Sequence, residues 1–334
     1  MASARDRRAS RPRLSIEDMV GEAAARPDVA SPLANPSATR LVLDEFGHSA
    51  KKKLGQNFLV NDAVVGKIIS LAEVGEGDRV LEVGPGIGTL TIAMLRRADS
   101  VLAVERDPDL PAVLARTTAP WSDRFRLVEK DALDLGESDF DADGGAAPNK
   151  FVANLPYAVA ATLVLDYFQR FPNLESATVM VQKEVADRIA AEPGSKNYGA
   201  YTVKLGMYAR VTGRFSVGPG NFFPPPHVDS AVVRLDRSSV LDDGGAALTR
   251  EEVEAVCTVA DASFASRRKT LGNSFKAYFA SRGKSSPIAA TGETFSRMFE
   301  RAGIDASRRG ETLTQAEFVR LARAYCAERD GLSG

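Results

Sequence analysis

Between residues 79 and 182 of this 334-residue chain, short apolar runs that read as strands alternate with runs that are apolar at helical spacing. RVLEVG (79–84), VLAVER (101–106), FRLVEKDAL (125–133), KFVANL (150–155) and ATVMVQ (177–182) are the strand candidates. TLTIAMLRRA, PDLPAVLART and VAATLVLDYFQRF supply the helices between them. Such alternation predicts an α/β fold, a mostly parallel sheet with helices on both faces. VDSAVVRLD (228–236) reads as a further strand, entered through the rigid FFPPP. Near residue 237 the pattern changes. SSVLDDGGAAL is a linker, and only helical segments follow, two of them opened by capping boxes, Thr249 with Glu252 and Thr314 with Glu317. The expected division is a mostly disordered, basic extension over 1–40, an α/β domain over 41–237, a linker over 238–248 and a smaller all-α domain over 249–330.

Composition narrows the chemistry. Cys257 and Cys326 are too few and too far apart for a disulfide framework or a structural zinc site. His48 and His227 are the only histidines, which argues against a metal centre or a Ser-His-Asp triad. No metal is expected. No run approaches the roughly 18 apolar residues of a membrane span, and the first residues lack the apolar core of a secretory leader. A cytoplasmic protein away from membranes is the expectation. The net charge of −1 hides clusters: five arginines in the first 13 residues, Lys51–Lys53, and Arg267, Arg268 and Lys269. Each cluster is a candidate phosphate contact, or simply a solvated face.

EVGPGIG (82–88) joins the first strand of the alternation to a helix. Gly84, Gly86 and Gly88 put no side chain in the way, so a ligand can lie against the backbone at the strand's carboxyl end. Glu105 ends the next strand, 21 residues after Gly84, where a carboxylate can grip ribose hydroxyls. Asp131 follows on the third, placed to accept from an adenine amine. Taken alone the loop suits a nicotinamide dinucleotide or S-adenosylmethionine equally. The spacing G-x-G-x-G is not the G-x-G-x-x-G of a pyrophosphate site, and S-adenosylmethionine carries no phosphate.

Asn154-Leu155-Pro156-Tyr157 ends the fourth strand. Pro156 removes a backbone donor and keeps Leu155 extended. If the substrate is a base with an exocyclic amine, the Asn154 side-chain oxygen and the Leu155 carbonyl can each accept one amine hydrogen, while Tyr157 stacks on the ring. An adenine amine is a poor nucleophile because its lone pair is delocalised. Two acceptors favour a pyramidal nitrogen whose lone pair faces a methyl donor, and alignment does the rest. A chain nearly devoid of histidine can run this chemistry. Read as structure alone, the tetrapeptide is a turn with a packed tyrosine.

Nine motifs resemble those of the small-subunit ribosomal RNA adenine N6,N6-dimethyltransferases, a family of Rossmann-like class I S-adenosylmethionine-dependent methyltransferases. They are KKKLGQNFL (51–59), EVGPGIGTLT (82–91), VLAVERD (101–107), KDAL (130–133), NLPY (154–157), VQKEVADRI (181–189), SKNYGAYTV (195–203), FFPPPHVDSAVVRL (222–235) and RRKTLGNSF (267–275). The resemblance implies cofactor contacts at Asn57, Leu59, Gly84, Gly86, Glu105, Asp131 and Asn154. It also implies a target-base site of Asn154, Leu155, Pro156, Tyr157 and Phe222. Phe222 would cover the face opposite Tyr157, since an extruded base needs two-sided stacking; Phe223 is the rival for that role. Lys51, Lys52, Lys53, Arg267, Arg268 and Lys269 would contact small-subunit RNA in a precursor particle, and a monomer is implied. Two other readings compete. One is a large-subunit adenine methyltransferase of the macrolide-resistance type, which shares the glycine loop, GQNFL and an Asn-Ile/Leu-Pro-Tyr motif. The other is an assembly factor whose binding outweighs its catalysis.

Overall fold

The computed structural model describes residues 15–24, 26–51, 55–140, 146–242 and 244–331. The chain divides into two compact units, one of residues 1–156 with 217–228 and one of 157–216 with 229–334.

In the first unit, helices α1 (Ile16–Ala24) and α2 (Pro36–Glu45) precede β1 (Phe58–Leu59) and α3 (Asp62–Ala72). Then come β2 (Arg79–Val83), α4 (Thr89–Leu95), β3 (Ser100–Glu105), α5 (Leu110–Thr117), β4 (Phe125–Glu129) and β5 (Lys150–Asn154). The strand order is β4-β3-β2-β5, every pair parallel, with Arg79 opposite Ser100 and Val101 opposite Phe125. Val80, Leu81, Val83, Val101, Ala103 and Val104 are all buried. Strands covered on both faces need such unbroken apolar runs. A parallel ladder also aligns the carboxyl ends of β2, β3 and β5, which puts residues 84, 105 and 154 along one edge.

The expected disordered extension is corrected for its described part. Ile16, Val20 and Leu33 are each 0% exposed. The Arg116 guanidinium on α5 pairs with Glu17 at 2.6 Å and Glu45 at 2.5 Å. The main-chain N–H groups of Ala30 and Ser31 donate to Asp62 at 3.1 and 2.7 Å. Residues 15–45 therefore carry their own share of the core. Residues 1–14, with their arginines, lie outside the described residues.

The second unit begins with α6 (Ala160–Arg170), β6 (Ser176–Gln182), α7 (Lys183–Ile189), α8 (Ala200–Leu205) and β7 (Ala209–Val217). After β8 (Phe222–Phe223), which belongs to the first unit, it resumes with β9 (Ser230–Arg237). Its strand order is β6-β9-β7; β6 and β9 run antiparallel from Ser176 opposite Asp236 to Gln182 opposite Ser230. Helices α9 (Arg250–Phe264), α10 (Leu271–Arg282), α11 (Gly292–Ala302) and α12 (Gln315–Asp330) complete it. Both capping boxes are present: Thr249 N–H donates to Glu252 at 2.9 Å, and Thr314 N–H to Glu317 at 2.8 Å. Each satisfies helix-end donors that would otherwise lack partners.

Two boundaries differ from expectation. Phe275, Phe279, Phe295 and Phe318 share their core with Tyr198, Val203 and Met207, so the helical layer does not separate near residue 237. Within the expected 238–248 linker, Leu241 is bridged to Ala247. Asp242 accepts from the N–H of Gly244 and Ala246 and from the Arg323 guanidinium.

Candidate active site

The chain turns sharply where β2 ends. Gly84 and Gly86 hold φ of 69° and 60°, in the left-handed region that side chains enter at a cost of about 1–2 kcal/mol. A Cβ on Gly84 would stand 3.6 Å from the Pro156 ring, and one on Gly86 3.2 Å from Phe58. The glycine loop is thus closed in by both the GQNFL and the NLPY segments.

Glu105, 8% exposed, terminates β3. Its Oε1 accepts the main-chain N–H of Arg106 at 2.9 Å and of Asp107 at 2.8 Å, and the Gly86 main chain bonds the same carboxyl. Burial pushes its pKa above the ordinary carboxylate value, against the pull of those main-chain donors. One further acid was not singled out in the sequence. Glu82, on β2 just before the glycines, is 1% exposed and accepts from the Thr91 hydroxyl at 2.6 Å. Burial drives its pKa up to about 8, and the Glu105 charge pushes the same way. The signal was an acid inside an otherwise apolar strand, next to the turn.

Asp131 does not end a strand, because β4 stops at Glu129. It caps a short 3-10 turn, Ala132–Asp134: Oδ1 accepts the Leu133 N–H at 3.0 Å, and Oδ2 pairs with Arg106 at 3.1 Å. Asn154 closes β5, and its Nδ2 donates to the Asn57 carbonyl at 3.2 Å. Leu155 is 2% exposed. Leu59 and Phe58 on β1 pair antiparallel with Phe222 and Phe223 on β8. Phe222 is 4% exposed, whereas Phe223 is half-buried with the Arg40 guanidinium 5.0 Å above its ring. One face of Phe223 is therefore occupied. The first unit brings together Asn57, Leu59, Gly84, Gly86, Glu105, Asn154, Pro156 and Phe222. Tyr157 opens the second unit, its phenol sharing a 2.6 Å hydrogen bond with the buried Ser230 hydroxyl.

The basic clusters sort differently. Lys51 is ion-paired within the protein, its Nζ 2.6 Å from Asp107 and 2.5 Å from Asp109. Lys52 and Lys53 lie outside the described residues. Arg267 is exposed, and its guanidinium also bonds the Lys196 and Tyr198 carbonyls. Arg268 and Lys269, in the turn between α9 and α10, are exposed and make no ion pair among the described residues.

A family model described as ribosomal RNA adenine dimethylase matches residues 47–294. The chain belongs to that family. It is thereby an S-adenosylmethionine-dependent methyltransferase of ribosomal RNA adenine. A Rhodococcus opacus protein named ribosomal RNA small subunit methyltransferase A is 42% identical over 301 residues, covering 88% of this chain and 95% of that protein. A Bifidobacterium longum protein of the same name is 40% identical over 302 residues, covering 87% and 93%. Among solved structures, a dimethyladenosine transferase from Plasmodium falciparum aligns with a TM-score of 0.65 at 24% identity, over 81% of this chain and 98% of that one. The 23S rRNA methyltransferase ErmE aligns at 0.57 and 23%, over 80% and 99%. These likenesses show the fold: the mixed, mostly parallel sheet of class I methyltransferases with a helical C-terminal region. The residues present fit the cofactor, since a loop bare of side chains and a buried acid at the next strand end suit an uncharged adenosine better than a pyrophosphate. No described helix is long and apolar enough to cross a membrane. No cluster of His, Cys, Asp and Glu that could hold a metal occurs among the described residues.

Proposed function

We propose that the chain methylates the N6 amine of adenine twice per base in small-subunit ribosomal RNA, acting as a cytoplasmic monomer on a late precursor particle. When bound, S-adenosylmethionine supplies the methyl group on a cationic sulfur. Asn57, Leu59, Gly84, Gly86, Glu105 and Asp131 are the residues that would hold it. Asn154 and the Leu155 carbonyl accept the two amine hydrogens, Pro156 keeps that segment extended, and Tyr157 and Phe222 offer aromatic faces to the base. No strong general base is needed, because the alkylated nitrogen sheds its proton readily.

One observation carries this reading. The Asn154 amide gives its NH2 group to a main-chain carbonyl beside the glycine loop, which leaves its oxygen as the acceptor that an amine requires. Family membership and the shared name of the relatives support the choice of RNA. Arg268 and Lys269, with Lys52 and Lys53, are the proposed phosphate contacts. Four contacts on single-stranded RNA predict a salt slope of about −3. The test is to incubate the protein with labelled cofactor and with under-methylated small and large subunits side by side, and to map the product. Dimethyladenine in small-subunit RNA supports the proposal, and label confined to large-subunit RNA refutes it.

A further inference from the structure

We propose that Asp107 is a positioning residue for methyl transfer, acting through Gln56 and Asn57 to hold the Asn154 amide in one orientation. The inference rests on the reading of Asn154 given above. Asp107 lies two residues beyond Glu105 and is 1% exposed. Its Oδ1 accepts from Lys51 Nζ at 2.6 Å and from the Asp109 N–H at 3.1 Å, and its Oδ2 accepts from Gln56 Nε2 at 2.7 Å. The His48 ring packs against the same carboxylate, its Nε2 3.9 Å from Oδ2. Gln56 is gripped at its other end too, since its Oε1 accepts the Lys51 N–H at 2.9 Å. Lys51 and Gln56 are thus tied to each other and to one buried carboxylate.

Asn57 comes next in the chain, and its carbonyl is the acceptor for Asn154 Nδ2 at 3.2 Å. A carbonyl oxygen only accepts, so the NH2 half of the Asn154 amide must face it. The amide is planar, and its Oδ1 is thereby turned away from Asn57. Were the Asn57 carbonyl displaced, the Asn154 side chain could rotate and present N–H donors to the substrate amine, whose own hydrogens they would repel. Asp107 makes no hydrogen bond to Asn154. Its effect passes from its carboxylate to the Gln56 side chain, along the chain to the Asn57 carbonyl, and from there to the Asn154 amide.

The chemistry of the links supplies the test. Full-length wild type, Asp107→Ala, Gln56→Glu and the double variant Asp107→Asn with Gln56→Glu are assayed on unmethylated small subunits with labelled cofactor. The assays measure kcat, KM for the subunit and the ratio of monomethyl to dimethyl product, and calorimetry gives cofactor affinity. Asp107→Ala and Gln56→Glu, the latter setting carboxylate against carboxylate, are each expected to lower kcat about 10- to 100-fold, with KM for the subunit little changed. The double variant restores a donor–acceptor pair with its polarity reversed. It is expected to recover at least about tenfold over Gln56→Glu, a recovery that a merely structural role for Asp107 would not give. Unchanged kcat in Gln56→Glu, or no recovery in the double variant, overturns the inference while wild type remains active. A wild-type protein that transfers nothing to small subunits overturns the underlying reading, and the inference with it.

Discussion

Replacing Glu82 by Gln should remove a specific pH dependence of folding. Glu82 is 1% exposed on β2 and has one side-chain donor, the Thr91 hydroxyl at 2.6 Å. Its pKa rises from the ordinary glutamate value of 4.5 to about 8, first because of burial and then because of the Glu105 charge. The folded protein therefore binds one more proton than the unfolded chain between those two values. A group of this kind stabilises fully at low pH and loses its contribution as pH climbs through the folded value. With about 1.36 kcal/mol per unit, the integrated loss between pH 5.5 and 7.5 is about 2.5 kcal/mol. Glutamine keeps the shape and the acceptor for Thr91 but does not titrate. Urea unfolding can be followed by the chain's sole tryptophan, Trp121, which is buried in the first unit. The free-energy gap between Glu82→Gln and wild type should move in the variant's favour by about that amount across the interval. Subtracting the two curves cancels the groups they share. A gap constant within about 0.5 kcal/mol would show that Glu82 is ionised throughout, and the account of its burial would fail.

Asn154→Ala should abolish both transfers, while Tyr157→Phe, which loses the Ser230 hydrogen bond, should slow the second more than the first; mass spectrometry of the reacted RNA reads both. Arg268→Gln with Lys269→Gln should flatten the salt dependence of RNA binding by about 1.4 in slope, whereas an unchanged slope returns these cations to a solvated face. Ile16→Ala should cost roughly 2–5 kcal/mol, seen as a lower urea midpoint, because its side chain is wholly buried. A cost below about 0.5 kcal/mol would mean that the N-terminal helix is not part of the folded core.

Strand ends are legible in a chain like this because strand–helix alternation dictates a parallel ladder, and a parallel ladder aligns its carboxyl termini. Glu105 and Asn154 follow from that geometry. The capping boxes are local in sequence and are seen as read. Long-range pairing is not legible. Nothing near Lys51 announces that Asp107 neutralises it, and Arg267 reaches carbonyls about 70 residues away. A basic triplet looks the same whether its charges face solvent or the protein. Asp131 lies just past a strand, where a free carboxylate and a helix cap share one sequence signature. The early helices hide in Ala- and Arg-rich sequence, although Ser15 accepting the Asp18 N–H at 3.0 Å is a helix start that could have been read. The β1–β8 ribbon joins residues more than 160 positions apart, beyond any periodicity.

That ribbon has a mechanical consequence. Phe58 and Leu59 are zipped to Phe223 and Phe222, and the seam continues where Val60 N–H meets the Asn221 carbonyl at 2.8 Å and the Asn61 and Asn221 amides meet, also at 2.8 Å. The GQNFL and FFPPP stretches are thereby geared to each other, and swinging one aside drags the other along. If GQNFL holds the cofactor and Phe222 the base, as proposed, exchanging a spent donor for a fresh one between rounds of transfer would disturb the base's aromatic wall as well.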